Sequence, residues 1–151
     1  MRILIVLILC VIGKCQHAQE FTLSKATSQE WSGGVCCRTG VNYNISFSTK
    51  DTLTKFELDT LWIEDKFFLL NKKQNDATKI TLKNGQKIIS ISVGTSHDER
   101  SEYLNEKKTE EKRPNSPIYK GAACVIYRDK KNKVKYFVVE KFDALMFIAY
   151  P

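Results

Sequence analysis

The chain has 151 residues and a formal net charge of +7, and 42% of its residues are hydrophobic. This size and composition suit one domain with a hydrophobic core. The basic residues are scattered along the chain, which favours a solvated surface and argues against nucleic-acid binding. The sequence contains no glycine-rich phosphate loop, dinucleotide fingerprint or zinc-protease motif, so we expect no cofactor and no metal site.

The first 18 residues have the form of a secretory signal peptide. Arg2 supplies a positive charge, and the apolar run from Ile3 to Ile12 is shorter than the about 20 residues of a membrane span. We place the cleavage after Ala18. Cleavage after Cys15 and a lipid anchor on Cys15 are the alternatives.

Residues 19–151 then form the mature protein. Removal of the signal peptide takes away two basic residues, which leaves 22 basic against 17 acidic residues and a net charge of +5. No later stretch reaches membrane-spanning length, so we expect no transmembrane segment after processing. The expected location is secreted or periplasmic.

The first part of the mature chain predicts short strands. The polar stretch Gln19–Glu30 indicates a leader or a short edge strand. The glycine pair that follows Trp31 indicates a turn, with Trp31 at one end of the core. Strict alternation of apolar and polar residues from Val41 to Phe47 predicts a half-buried strand.

Two hairpins are predicted next. Segments Phe56–Ile63 and Phe67–Leu70 should pair, with Leu58 and Trp62 on one side of the first strand. The dipeptide Asn84-Gly85 predicts the second turn, because both positions of a two-residue hairpin turn need positive φ. Pairing across that turn should place five apolar side chains on one buried face, namely Ile80, Leu82, Ile89, Ile91 and Val93.

Residues 94–117 differ in composition from the rest of the chain. They hold six acidic and five basic residues and only two large apolar ones, Tyr103 and Leu104. Such a segment buries too little apolar surface to offset the entropy of ordering. We predict a charged loop there, which includes His97 and is either a mobile surface segment or a partner-binding element.

A last hairpin is predicted from Tyr119–Arg128 and Lys133–Phe142 with a four-residue turn between them. This turn places Arg128 opposite Lys133 and Val125 opposite Tyr136. Both faces of the hairpin are apolar, which places it inside a layered structure and not at an edge.

The predicted fold is an all-β single domain, because seven or eight short strands follow one another without a convincing core helix. We expect a two-sheet antiparallel sandwich. It is loosely immunoglobulin-like, since Cys37, Trp62 and Cys124 occur in the order known from such domains. A small barrel is the alternative. The apolar stretch Leu145–Tyr150 should supply a terminal strand that completes the core.

Three cysteines remain after processing, Cys36, Cys37 and Cys124. An oxidising compartment favours a disulfide bond. The sequence leaves open whether Cys124 pairs with one of the adjacent cysteines or whether these pair with each other. One thiol is left over in each case.

Four short stretches carry a resemblance. They are Glu30-Trp31-Ser32-Gly33-Gly34, Leu61-Trp62-Ile63-Glu64-Asp65-Lys66, Tyr119-Lys120-Gly121-Ala122-Ala123 and Ala149-Tyr150-Pro151. Together these four stretches resemble a group of small exported proteins of Bacteroidetes-type bacteria, and we call them the four shared stretches. The resemblance implies a β-sandwich and a secreted or envelope location, and it implies no activity.

We therefore expect a non-enzymatic binding or scaffolding domain of the cell envelope. Serine or cysteine catalysis needs a positioned histidine, and His97 in a charged loop is poorly placed for that role. The expected partner is an envelope protein or a polysaccharide, contacted through Trp31, Tyr103 and Leu104. The alternative is a thiol-dependent redox or hydrolytic protein that uses Cys36 and Cys37.

Overall fold

A computed structural model describes residues 21–33, 38–49, 55–70, 77–98 and 115–151. The predicted signal peptide lies outside these ranges. Within them the chain forms ten strands: β1 Phe21–Gly33, β2 Arg38–Thr49, β3 Phe56–Ile63, β4 Lys66–Leu69, β5 Thr78–Lys83, β6 Gln86–Asp98, β7 Ala123–Asp129, β8 Val134–Val139, β9 Asp143–Ala144 and β10 Ile148–Tyr150.

The strands form two sheets that pack face to face. The first sheet has the order β10-β1-β2-β6-β5 with β9 also beside β1, and the second has the order β4-β3-β7-β8. The predicted two-sheet sandwich is confirmed, and the described strands close no barrel. Pairing is antiparallel except for β9 and β10, which run parallel to β1. In the part of the chain that the structure describes, no helix is long and apolar enough to cross a membrane.

The strand order also supports the immunoglobulin-like label. Immunoglobulin domains set strands A, B, E and D in one sheet and C, F and G in the other, and some add a C′ strand beside C. The order β1-β2-β6-β5 against β4-β3-β7-β8 reproduces this arrangement, with β4 in the C′ position. The segment after β8 then crosses to the first sheet and adds β9 and β10 beside β1.

The main hydrophobic core lies between the sheets and draws on strands of both. Phe21 begins β1 and is 2% exposed. Its ring meets the rings of Phe47 and Tyr127 edge to face, with centroids 5.0 and 4.7 Å apart. Such pairs add about 0.5–1.5 kcal/mol each beyond the burial of their surface. The expected leader is therefore wrong, because β1 is a long inner strand that pairs with β2 along its length.

A bulge in β3 overturns the predicted placement of Trp62. The β3–β7 register shifts between Leu58 and Thr60, and the extra residue reverses the alternation of side chains beyond it. Leu58 and Leu61 face the main core, whereas Trp62 packs with Cys124 in a second cluster. Trp62 and Leu58 thus lie on opposite faces of the second sheet.

The β5–β6 hairpin has the predicted turn and register. Asn84 and Gly85 adopt φ values of 48° and 71°, and Ile80 pairs with Ile89. The predicted buried face holds only for β6, because Ile80 and Leu82 are 56% and 71% exposed. Strand β5 is the edge strand of the first sheet, with β6 as its paired neighbour.

The β7–β8 hairpin forms with a register one residue away from the predicted one. Arg128 pairs with Val134 and Val125 with Phe137, so Phe137 joins Val125 in the main core. A shift of one residue moves each side chain to the other face of the strand. Strand β8 is also an edge strand, which the prediction of an interior hairpin did not anticipate.

The cause of this shift is the turn itself. The N–H of Asp129 donates to the carbonyl of Lys133 at 3.0 Å, so these two residues close a three-residue loop instead of the expected four-residue turn. Asn132, the last loop residue, has a φ of 58°. Three-residue hairpin loops commonly end on a residue in this left-handed conformation.

The charged loop predicted for residues 94–117 does not include its first five residues. Residues 94–98 belong to β6, and His97 pairs with Thr39 of β2. Its placement in a loop is therefore wrong. Residues 99–114, with Tyr103 and Leu104, lie outside the described ranges.

The carboxylate of Asp129 holds the β7–β8 turn. Its Oδ1 accepts hydrogen bonds from the backbone N–H groups of Lys133 at 3.0 Å and Lys131 at 2.8 Å, and its Oδ2 lies 3.4 Å from Lys135 Nζ. These contacts, first of all the Lys133 N–H, hold the pKa of Asp129 below its usual value. A lowered folded-state pKa contributes stability above the unfolded pKa, and this stability is lost as pH falls through the folded pKa.

We predict that Asp129→Ala lowers the free energy of unfolding at pH 7 and that this difference from wild type shrinks below about pH 4. Urea unfolding followed by tryptophan fluorescence from pH 7 to pH 2 measures both effects. Lys130→Ala in the same turn is the control and should keep the wild-type pH dependence. A difference that stays constant down to pH 2 contradicts the role of the carboxylate.

Candidate binding site

The strands of the two sheets differ in length, and this difference creates a cleft. Strands β1, β2 and β6 have 12 or 13 residues, whereas the strands of the second sheet have between 4 and 8. At the end where β2 begins, the inner face of the first sheet continues past the main core. This end forms a cleft of about 490 Å³, which we call the overhang cleft.

The floor of the overhang cleft follows from the strand register. Val41 pairs with Glu30 of β1 and Thr95 of β6, and Thr39 pairs with His97. Directly paired residues lie on the same face of a sheet, and alternate residues along a strand share that face. Val41 and Thr39 thus continue the β2 column that holds Tyr43, Ile45 and Phe47. The floor therefore carries a carboxylate, two hydroxyls and an imidazole where the core column ends.

The hydroxyl of Thr95 is tied to the backbone of the neighbouring strand. Its Oγ1 accepts from the N–H of Val41 at 3.3 Å and lies 3.5 Å from the Val41 carbonyl oxygen. This contact fixes the Thr95 side chain at the junction of β2 and β6.

Trp31 stands at the same end, and it lies outside both core clusters. Its strand partner is Gly40, and a Cβ built on Gly40 would come within 2.7 Å of the Trp31 ring. The ring therefore lies against the glycine backbone. Tyr150 meets Trp31 nearly edge to face with centroids 6.2 Å apart. Trp31 Nε1 is buried without a hydrogen-bond partner. The expected position of Trp31 at the end of the core is thus corrected: its ring packs on Gly40, at the end of the first sheet that holds the cleft but on the face opposite Thr39 and Val41.

The C-terminal segment forms one wall. The N–H of Leu145 donates to the Ser28 carbonyl at 2.8 Å, and Gln29 Nε2 donates to the Met146 carbonyl at 2.9 Å. Phe147 lines the cleft and is 58% exposed. The expected core-completing strand is instead an edge strand that leaves apolar side chains exposed, Met146 most of all at 87%.

The other wall comes from the β3–β4 turn, in which Glu64 has a φ of 54° and Lys66 reaches the cleft. Burial raises the pKa of Tyr43, and the nearby carboxylates of Glu64 and Glu30 raise it further. Burial and then Cys124 raise the pKa of Tyr119, while a hydrogen bond to the Glu64 backbone lowers it. Glu64 thus lies close to β2 and to the segment before β7. At this end of the sandwich Trp31 contacts Tyr150, and Tyr119 lies beside Glu64.

The sequence singled out Trp31 alone among the residues of the overhang cleft. Thr39, Thr95 and Phe147 were missed, and His97 was assigned to a loop. The alternation that begins at Val41 continues back to Thr39. This continuation was the signal in the sequence for a longer β2. Pairing of β2 with β6 joins segments that are about 50 residues apart, and no local pattern specifies it.

Cys124 does not form the expected disulfide with Cys36 or Cys37. Its thiol is free, lies opposite Trp62 in β7 and is fully buried. Burial raises the pKa of the Cys124 thiol to about 11, so the nucleophilic thiolate is scarce at neutral pH. Cys36 and Cys37 lie outside the described residues. Among the residues that are described, no three or more histidine, cysteine or acidic side chains form a group that could hold a metal.

We predict that Gly40→Ala lowers the free energy of unfolding by about 2 kcal/mol or more. The added Cβ would lie 2.1 Å from the carbonyl oxygen of Thr95, so the β2–β6 ladder must open or the Trp31 ring must move. Chemical denaturation measures the loss. Gly33→Ala is the matched control, because its nearest atoms are 3.8 and 3.9 Å away and its cost should stay within about 0.5 kcal/mol. Equal effects of the two substitutions contradict the close packing at Gly40.

We predict that Cys124 does not react with a water-soluble disulfide reagent in the folded protein. Cys124→Ala should leave the number of reactive thiols unchanged under native conditions and lower it by one in denaturant. Colorimetric thiol counting in both conditions provides the measurement. A native count that falls by one in the variant shows instead that the Cys124 thiol is accessible.

No family model, curated protein or solved structure matches this chain. The residues of the overhang cleft therefore carry the functional conclusion.

Proposed function

We propose that the chain is an exported, non-enzymatic binding domain of the cell envelope and that the overhang cleft is its binding site. The observation that carries this proposal is that the side chains along one face of the first sheet change from apolar to polar. Where the second sheet ends, the apolar column of β2 and β6 gives way to Glu30, Thr39, Thr95 and His97. A concave surface with apolar walls and a few convergent polar groups is typical of ligand sites, and about 490 Å³ is within their usual size.

The four shared stretches support the choice of this end of the sandwich. They are distant in sequence, yet each contributes to the overhang cleft or contacts a residue beside it. Glu30 and Lys66 line the cleft, Tyr150 contacts Trp31, and Tyr119 lies beside the Glu64 turn. Export is supported by the charged and apolar residues at the start of the sequence.

The thiol-dependent alternative would have to act through Cys36 and Cys37. Cys124 cannot serve it, because its thiol is fully buried and its pKa is raised to about 11. The described residues place no thiol in the overhang cleft. The binding role is therefore the better supported of the two.

The proposal is tested with ¹⁵N-labelled protein of residues 19–151 and a soluble extract of the cell envelope of a Bacteroidetes-type bacterium. We expect the extract to shift the backbone amide signals of Thr39, Thr95 and His97. Phe147→Ala should reduce these shifts, because Phe147 is a wall of the cleft.

Met146→Ala is the matched control, since Met146 is the adjacent residue, is even more exposed and does not line the cleft. It should respond as wild type does. An extract that shifts no cleft signal, or one whose effect is the same for Phe147→Ala and wild type, contradicts the assignment.

A further inference from the structure

We infer that the overhang cleft binds an uncharged saccharide chain, an inference that rests on the proposed binding function. The polar groups of its floor belong to side chains of different hydrogen-bonding types. The carboxylate of Glu30 only accepts, the hydroxyl of Thr39 both donates and accepts, and the imidazole of His97 can do either. The Thr95 hydroxyl already bonds the Val41 backbone and keeps a free lone pair as an acceptor. A sugar ring presents several hydroxyl groups, each a donor and an acceptor, and this mixed set matches them.

The apolar part of the cleft suits the other property of a sugar ring. Each face of a pyranose presents C–H groups, which are attracted to the negative face of an aromatic ring. Phe147 offers such a ring at the wall, 58% exposed, and Val41 offers an apolar patch in the floor. One ring can therefore stack on Phe147 while its hydroxyls reach the floor.

The charge of the cleft favours an uncharged ligand. Among the described residues that line the cleft, Glu30 supplies the one carboxylate and Lys66 the one ammonium group, and these two charges offset each other. An anionic membrane or a phosphate would need a surplus of positive charge. Binding of an uncharged saccharide should consequently depend little on ionic strength.

An extended peptide is the main competing ligand. Peptides often bind by adding a strand to an open sheet edge. Here β1 lies between β10 and β2, and β2 lies between β1 and β6, so the backbone groups of β1 and β2 are used within the sheet. Strand β6 has no paired strand on its outer side beyond Ser92 in the described part of the chain, and a peptide could add there.

The test uses the ¹⁵N-labelled protein of residues 19–151 and four probes. The first probe is envelope polysaccharide from a Bacteroidetes-type bacterium, freed of protein by protease and of lipid by solvent extraction. The second is the same material after periodate oxidation, which cleaves vicinal diols. The third is the peptide fraction released by the protease, and the fourth is phosphatidylglycerol vesicles.

We expect the deproteinised polysaccharide to shift the amide signals of Thr39, Thr95 and His97, and the oxidised material to lose this effect. Phe147→Ala should weaken binding about fivefold or more, whereas Met146→Ala should bind as wild type does. Raising the salt concentration from 0.1 to 0.5 M should change the affinity less than about twofold.

The inference is overturned if the deproteinised polysaccharide does not bind, if periodate leaves binding intact, or if only the peptide fraction or the vesicles bind. Failure of the binding function itself gives a different result. If the untreated extract shifts the cleft signals while the deproteinised polysaccharide does not, the binding function stands and the ligand class is wrong. If neither does, both are wrong.

Discussion

The pairing of Ile45 with Ile91 and of Phe47 with Ile89 holds the central strands β2 and β6 in register. All four side chains are fully buried against the second sheet, so a slip by one residue would turn them to solvent. The same register continues past the core and brings Thr39 opposite His97. The alignment of the cleft floor is thus a by-product of the alignment of the core, and a rigid scaffold of this kind suits a binding site.

The sequence predicted those features that short-range chemistry determines. Asn84-Gly85 specified both the turn and the pairing of β5 with β6, because few residues accept its backbone angles. The β7–β8 register was missed by one residue because the Asp129 carboxylate and the left-handed Asn132 select a three-residue loop. The bulge after Leu58 coincides with the polar pair Asp59-Thr60, where the apolar alternation changes phase, and this signal was overlooked. The overhang cleft depends on pairings between distant segments, which periodicity cannot reveal.

The order of cysteine, tryptophan and cysteine suggested an immunoglobulin-like core. In the structure, this order is not accompanied by the packing that it usually indicates. In antibody domains the tryptophan of strand C packs on a disulfide between the sheets. Here the bulge in β3 turns Trp62 to the outer face of the second sheet, where it packs with the free thiol of Cys124. Tyr119 and Val138 also pack against this cluster. The fold reproduces the strand order without the central motif.

The parallel pairing of β1 with β9 and β10 joins the two ends of the described chain. The bond from Gln29 to Met146 spans 117 positions in sequence, and Trp31 pairs with Ile148. Because β9 and β10 are more than 100 positions away from β1 in sequence, this edge of β1 stays open until residues 143–150 have been synthesised.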